Sequence, residues 1–103
     1  MVKMFLIGHI GKDAQMRYNK NQKQMVTFSV CHNEEYTDSK GEKQSKPQWF
    51  DIVLYGGENL QPYLTKGQQV YVEGTPNNYA WIDETSGELR VSNGMVCKNL
   101  RLI

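Results

Sequence analysis

Apolar side chains that recur at every second position restrict the fold of this chain more than any other feature of its sequence. The segments Met25–Cys31 and Trp49–Tyr55 both show this alternation, and glycine, proline and asparagine punctuate the sequence between the alternating segments. A period of two is the spacing of one face of a β-strand, whereas an α-helix repeats its apolar positions at a period near 3.6. The sequence therefore predicts an all-β protein built from short strands.

Five strands and one short helix account for the apolar segments. The strands are predicted at Met4–Ile10, Met25–Cys31, Trp49–Tyr55, Val70–Gly74 and, as one returning strand or a pair, Leu89–Leu102. After the third strand, Leu60, Tyr63 and Leu64 have the spacing of a helix that a proline and a glycine confine to a couple of turns. This order predicts a five-stranded OB-fold Greek-key barrel with its helix between strands three and four, and residues 1–103 as one domain.

Polar segments connect the predicted strands. Arg17–Gln24 is predicted as a polar turn, and Glu84–Gly87 as another turn that follows Tyr79–Asp83. The long polar segment Asn33–Gln48 is predicted as a mobile loop or as the extended arm of a hairpin. We find no internal repeat, linker or low-complexity segment that would divide the chain.

The charge is low overall but unevenly distributed. The formal net charge is only +1, a complication for a nucleic-acid binder because phosphate attraction supplies most non-specific affinity. Between Lys12 and Lys23, however, four cations face a single acid, Asp13. Such a patch attracts phosphate while the total stays near neutral, although ordinary solvated loop charges would give the same composition.

The sequence contains no candidate membrane helix or signal peptide. No apolar run approaches the roughly 20 residues that a spanning helix needs. The apolar start Met1–Ile7 is broken at once by Gly8 and Gly11. We therefore expect the protein to stay where it is made, in the cytoplasm and associated with the nucleoid.

Metal binding and catalysis are not expected. Cys31 and Cys97 are far apart and read as buried, reduced thiols. A zinc site that adds His9 and His32 is disfavoured because the neighbours Cys31 and His32 point to opposite sides of a strand. The chain has no nucleophile motif and no glycine-rich phosphate loop, so we expect no metal, no cofactor, no small-molecule substrate and no enzymatic activity.

Two aromatic residues occupy a strand face that a core would not need. Trp49 and Tyr55 share their side of the third predicted strand with Asp51, which suits a wet binding surface better than a core. A general binder of unpaired nucleic acid needs solvent-facing rings along a groove, with cations beside them. The alternatives are that Trp49 caps the end of the barrel and that Tyr55 packs on the helix.

Three further aromatic residues are candidates for the same surface. Tyr79 and Trp81 are expected on opposite faces of the strand before the Asp83–Gly87 turn, and Tyr36 in the polar loop. Trp81 has a core position beside Ile82 as its alternative, and Tyr36 could be an ordinary loop tyrosine.

Four motifs, taken in order, resemble the bacterial single-stranded DNA-binding protein family. They are Val2–Asp13 with Arg17-Tyr18, Gln48–Gly56, Tyr63–Gly74, and Trp81-Ile82-Asp83 with the glycine-containing turn after it. They have the spacing of the family and cover almost the whole chain, so together they are far more specific than any one motif. The resemblance implies sequence-independent binding and protection of single-stranded DNA in replication, recombination or repair.

The resemblance also implies roles for particular residues. The rings that match Tyr36, Trp49, Tyr55 and Trp81 stack on bases in that family, and the basic positions that match Lys3, Arg17 and Lys66 meet phosphate. The family usually assembles as homotetramers, with a dimer as the other possibility here. The strand that matches Met1–Ile10 takes part in dimer contacts, and DNA wraps around the assembly.

The chain departs from the family at positions that often carry cations. Asp51 replaces a frequently basic residue, and Pro76–Ala80 replaces an arginine-rich approach to Trp81. We therefore expect weaker or more salt-sensitive binding, offset in part by stacking on Tyr79. Most cellular members also carry an acidic tail that is absent after Leu100–Ile103, so we expect either a tail outside this sequence or a mobile-element or primosomal relative.

Two other functions are compatible with the same fold. A primosomal replication accessory protein would dimerise and bind other replication proteins as well as DNA. A protein-interaction module would fit the near-neutral charge and the carboxylate of Asp51.

Overall fold

The computed structural model describes all residues from Met1 to Ile103, which form eight strands and one 3₁₀ turn. The strands are β1 Met4–Ile10, β2 Gln15–Tyr18, β3 Gln24–Thr37, β4 Lys43–Tyr55, β5 Gln69–Pro76, β6 Tyr79–Ile82, β7 Leu89–Ser92 and β8 Gly94–Leu102. The 3₁₀ turn, Gln61–Tyr63, lies between β4 and β5. No helix in the structure is long and apolar enough to cross a membrane.

The main sheet closes on itself into a barrel. Its strand order is β1-β5-β8-β4-β3-β2, and β1 also pairs with β3, so that β1, β5, β8, β4 and β3 form a ring. The pairings are antiparallel except for β4 with β8, which run parallel from Asp51↔Gly94 to Val53↔Val96. The hairpin β6–β7 forms a separate two-stranded sheet. The predicted five-stranded OB-fold barrel is confirmed, with β2 and the β6–β7 hairpin added to it.

The barrel interior is filled by the alternating apolar residues. The least exposed large side chains are Ile10, Val26, Val30, Ile52, Leu64, Val70, Val72 and Met95. Most of them come from the barrel strands, at the inward positions that the period of two predicts. Cys97 is also buried, and this burial raises the pKa of its thiol because the thiolate would lose solvation.

The first polar segment differs from the prediction of a turn over Arg17–Gln24. Arg17 and Tyr18 belong to β2 and pair with Met25 and Gln24 of β3. The turn is shorter, because the Asn19 side chain accepts hydrogen bonds from the backbone amides two and four residues later, each at 2.9 Å. Arg17 and Tyr18 are in a strand because they pair with β3, and the polar composition of the segment does not indicate this pairing.

The second polar segment, Asn33–Gln48, is the extended hairpin arm rather than a loop. β3 and β4 stay paired as far as Thr37↔Lys43. At the tip, the Asp38 side chain accepts hydrogen bonds at 2.9 Å from the backbone amides of Lys40 and Glu42. These bonds, that from the Glu42 amide above all, lower the pKa of Asp38 because they stabilise its charged form.

The predicted helix of a couple of turns is wrong in length and type. Only the three residues Gln61–Tyr63 are helical, with a proline in the first turn. Leu64 is fully buried, whereas Leu60 and Tyr63 are exposed. The three apolar residues therefore do not form one helical stripe, because Leu64 has already left helical geometry at φ −92° and ψ 72°.

Because the barrel interior is buried and the hairpin is exposed, isoleucine-to-alanine substitutions in the two places should lower the free energy of unfolding by different amounts. Ile52 is 1% exposed in the core and Ile82 is 62% exposed on β6. We expect Ile52→Ala to lower the free energy of unfolding by about 2–5 kcal/mol, because it leaves a cavity. We expect Ile82→Ala to change it by less than about 0.5 kcal/mol. Urea unfolding of both variants measures the difference, and equal costs would show that the barrel interior is assigned wrongly.

Candidate nucleic-acid interface

The outward face of β4 presents two aromatic rings to solvent. Phe50, Ile52 and Leu54 face the interior, so that Trp49 and Tyr55 point away from it. Trp49 is 53% exposed and Tyr55 is 39% exposed. Neither ring is therefore a core residue, and their use in stacking stays a prediction.

Trp49 is held in place by a glycine. A side-chain carbon built on Gly11 would lie 2.6 Å from the indole Cη2 atom, and nearer still to Cζ3. The indole therefore lies against the backbone just beyond the end of β1, where only a residue without a side chain leaves room. This contact fixes one edge of the ring while about half of the residue stays open to solvent.

Tyr55 is paired with a cation. The ammonium nitrogen of Lys23 lies 4.7 Å from the centre of the Tyr55 ring, a distance at which a cation is attracted to an aromatic face. Lys23 was not among the predicted site residues. It belongs to the basic cluster between Lys12 and Lys23, and that cluster was the available signal.

A groove of about 510 Å³ runs beside these rings. Residues of β2, β3, β4 and β6 and of the β1–β2 and β5–β6 connections line it, among them Lys12, Arg17, Thr27, Asp51, Asn77 and Tyr79. The groove is open, and its lining combines cations, two carboxylates, hydroxyl and amide groups and two aromatic residues, Phe28 and Tyr79. Such a mixed polar cleft suits an extended, charged ligand better than a small apolar one.

The cations at the groove are free of carboxylate partners. Arg17 donates hydrogen bonds to the Thr27 hydroxyl at 3.2 Å and to the Gln15 amide oxygen at 2.5 Å. The backbone amide of Lys66 donates to the Asp13 carboxylate at 2.8 Å, which places Lys66 next to this groove-lining residue. No carboxylate lies within 4.0 Å of the Arg17 or Lys66 side-chain nitrogens, so both can meet phosphate.

Asp51 is a fixed carboxylate in the groove. Its Oδ2 atom accepts a hydrogen bond of 2.5 Å from the buried Ser92 hydroxyl, and its Oδ1 atom a longer one of 3.5 Å from Ser29. Its backbone amide donates to the Asn93 carbonyl at 2.9 Å. No Lys or Arg lies within 4.0 Å of the carboxylate, so its charge stays uncompensated.

Tyr79 and Trp81 form an aromatic pair on the β6–β7 hairpin. Their ring centroids are 5.5 Å apart with an interplanar angle of 34°. The expectation that they lie on opposite faces is wrong, because residues two apart on a strand point the same way. Both are exposed, so Trp81 is not a core residue, and Tyr79 also lines the groove.

Tyr36 lies apart from the groove. It is exposed on the hairpin arm and pairs with Gln44. Cys31 pairs with Trp49, and Tyr36 is five residues beyond Cys31, roughly 17 Å along an extended strand. The structure therefore places this ring beyond the other rings along the same hairpin.

Lys3 lies on another part of the surface and is neutralised. Its ammonium nitrogen forms an ion pair of 2.6 Å with Glu73. This hydrogen-bonded pair raises the pKa of Lys3 and lowers the pKa of Glu73. Desolvation is the main cause that raises the pKa of the nearby Tyr71, which donates to Glu73 at 3.1 Å. The phosphate role of Lys3 stays a prediction, and the geometry supports it less than it supports Arg17 and Lys66.

The fold and this surface define a class of protein. A closed OB-type barrel with exposed rings and unpaired cations along one wall is the architecture of oligonucleotide-binding modules. The profile of the single-strand binding protein family matches residues 1–103. The chain belongs to the single-strand binding protein family, which agrees with the expected absence of an enzymatic activity.

Individual relatives are similar over nearly the whole chain. The single-stranded DNA-binding protein 1 of Chlorobaculum tepidum is 32% identical over 98% of this chain, and that of Xylella fastidiosa is 34% identical over 98%. The match spans 64% of the length of the first relative and 76% of the second. A structure of Plasmodium falciparum SSB in complex with ssDNA is also similar, with a TM-score of 0.79 and 27% identity, covering 100% of this chain and 95% of that one.

The contact between Gly11 and Trp49 predicts an effect of one added methyl group. In a Trp81→Phe background, in which Trp49 is the one remaining tryptophan, we expect Gly11→Ala to push the indole outward. Acrylamide should then quench Trp49 fluorescence more strongly. Gly57→Ala is the matched control, since its new methyl group would meet Leu54 instead. Unchanged quenching in Gly11→Ala would contradict the contact.

Proposed function

We propose that this chain binds single-stranded DNA without sequence dependence, by stacking bases on exposed rings and meeting phosphate with nearby cations. The observation that carries the proposal is the outward face of β4, where Trp49 and Tyr55 stand in solvent next to a groove with Arg17 and Lys12. Family membership and the named relatives support it. A closed barrel with one core supports the view that residues 1–103 act as one domain.

Stacking supplies affinity that does not depend on net charge. Each base that stacks on an aromatic side chain contributes about 1–3 kcal/mol. Trp49 and Tyr55 lie on a barrel strand, and Tyr79 and Trp81 on the hairpin beside it. Tyr36, on the arm, is five residues from Cys31, the pairing partner of Trp49, so alternation directs it to the other face of the hairpin and it contributes least to this series. Several rings that each hold a base give useful affinity even though the whole chain carries a charge of only +1.

Phosphate attraction comes from the cations that have no acidic partner. Arg17, Lys12 and Lys66 lie in or next to the groove, and Lys23 lies over Tyr55. Each phosphate contact adds to the steepness with which affinity falls as salt rises. Because these contacts are few, we expect a shallow salt dependence, which replaces the expectation of more salt-sensitive binding that the sequence suggested.

We further infer that the protein assembles from several copies, with a tetramer as the expected form. Exposed Phe5 and Ile7 and half-buried Tyr71 form an apolar patch on the outer face of β1 and β5, with the Phe5 and Tyr71 ring centroids 6.4 Å apart. Such a patch suits burial against another copy. The two cysteines are unpaired, which fits a reducing cytoplasm and a place at the nucleoid in replication, recombination or repair.

The stacking proposal predicts the effect of removing single rings. We expect Trp49→Ala and Trp81→Ala each to weaken binding of a labelled oligo(dT), measured by fluorescence anisotropy, by about 1–3 kcal/mol. Thermal unfolding should change little, since about half of each residue is exposed and neither belongs to the core.

A matched pair of tyrosines provides the control. Tyr55 lies on the β4 face, whereas Tyr63 is exposed on the 3₁₀ turn and does not line the groove. We expect Tyr55→Ala to weaken oligo(dT) binding and Tyr63→Ala to leave it unchanged. Equal effects of the two variants, or none from either tryptophan, would show that the binding face is assigned wrongly.

Assembly is tested by a charge placed in the apolar patch. We expect Ile7→Glu to reduce the mass measured by light scattering toward that of one chain, because a buried, unpaired carboxylate disfavours association. Ile82→Glu, on the exposed hairpin, is the control and should leave the mass unchanged. A native mass of one chain at micromolar concentration would reject the assembly.

A further inference from the structure

We propose that Asp51 gives the groove a preference among bases, in favour of those that offer an exocyclic amino group, with cytosine preferred over uracil or thymine. The inference rests on the proposed binding of single-stranded DNA and refines it: binding needs no particular sequence, but its strength depends on base composition. It starts from the Asp51 carboxylate, which lines the groove and lies between Trp49 and Tyr55 on the outward face of β4.

The Asp51 carboxylate is positioned in advance. The hydroxyl of buried Ser92 and the more distant hydroxyl of Ser29 hold its two oxygens, and its backbone is bonded to Asn93. An ionised carboxylate offers about four acceptor sites. The two serine hydroxyls therefore leave the Asp51 carboxylate free to accept further hydrogen bonds. The Asp51 residue is exposed and lines the groove.

No cation forms an ion pair with the Asp51 carboxylate. Lys12 and Arg17 line the same groove, but no Lys or Arg nitrogen lies within 4.0 Å of Asp51. A carboxylate that faces a nucleic acid without a cation repels phosphate. The groups of a nucleotide that it attracts are N–H donors on the base.

The spacing along β4 brings base edges to this carboxylate. Trp49 and Asp51 are two residues apart on the same face, which is about 7 Å along the strand. A base stacked on the indole presents its edge sideways, toward the neighbouring outward positions. Asp51 is the polar one of the two such positions next to Trp49 on β4, because the other is Pro47.

The chemistry of the pyrimidine edge decides the preference. Cytosine carries an amino group at C4, which donates to a carboxylate, whereas thymine carries an acceptor oxygen there. Uracil has the same oxygen without the methyl group of thymine. With cytosine the carboxylate accepts a charge-assisted hydrogen bond from the C4 amino group, whereas uracil places an acceptor oxygen at C4 and its one N–H donor at the neighbouring N3. A carboxylate aimed at C4 therefore gains a hydrogen bond with cytosine and faces an acceptor with uracil.

The test compares oligo(dC) with oligo(dU) of equal length on the native protein at neutral pH. The two differ at C4 and at the N3 proton and share the same backbone and a ring of the same size. We expect the native protein to bind oligo(dC) at least about tenfold more tightly, in line with one good hydrogen bond to a charged group. Equal affinities would overturn the inference, while failure to bind either oligonucleotide would instead overturn the proposed function.

Two matched variants separate base preference from charge. Asp51→Asn keeps an acceptor for Ser92 and adds an amide donor that suits the C4 oxygen of uracil. Asp13→Asn removes the same charge from another groove-lining position. We expect both to raise overall affinity, since each removes a negative charge, and only Asp51→Asn to bring the ratio of the two affinities close to one. A ratio that survives in Asp51→Asn, or falls equally in both variants, would contradict the role of Asp51.

A modified oligonucleotide tests the same proposal on the native protein, so that the test does not depend on the folding of a variant. Oligo(dC) with both amino hydrogens replaced by methyl groups keeps the cytosine ring but has no donor at C4. We expect it to lose the preference over oligo(dU). If it binds as tightly as oligo(dC), hydrogen bonding to the amino group does not produce the preference.

Discussion

The antiparallel pairing between β3 and β4 determines both the core and the candidate binding surface. Val30 pairs with Phe50, and Cys31 pairs with Trp49. Because side chains alternate between faces, a slip of one residue would turn Trp49 inward and Phe50 outward. Hydrophobic packing in the interior holds this register. The same packing therefore also determines which face the exposed rings occupy.

The exposed rings occupy two supports of different stiffness. Trp49 and Tyr55 stand on a strand of the closed barrel, and Trp49 also rests on Gly11. Tyr79 and Trp81 stand on a two-stranded hairpin that forms its own sheet, and such a hairpin is marginally stable by itself. The aromatic contact between its two rings contributes to its shape. The rings on the barrel are thus preorganised, whereas those on the hairpin have more freedom to move.

The sequence predicts the parts of the structure that local periodicity controls. The inward and outward positions of β4 follow directly from alternation, and so does the exposure of Trp49. Strand β2 could not be read in this way, and for Asn33–Gln48 the sequence left a hairpin arm and a loop open, because polar residues form strands there only through pairing with a partner strand. Neither the placement of Lys23 over Tyr55 nor the ion pair of Lys3 with Glu73 leaves a local pattern. Both depend on tertiary contacts between side chains.

A nearly neutral chain that binds nucleic acid must recognise more than phosphate. Here an uncompensated carboxylate, Asp51, lies in the same groove as Arg17 and Lys12. In a binder that relies on counterion release, this charge would only weaken binding. In one that relies on stacked bases, the same charge acts on base edges, while the rings supply affinity that salt screens little. Few groove cations and several exposed rings therefore fit together in the proposed mode of binding, in which contact with the bases outweighs attraction of the phosphate backbone.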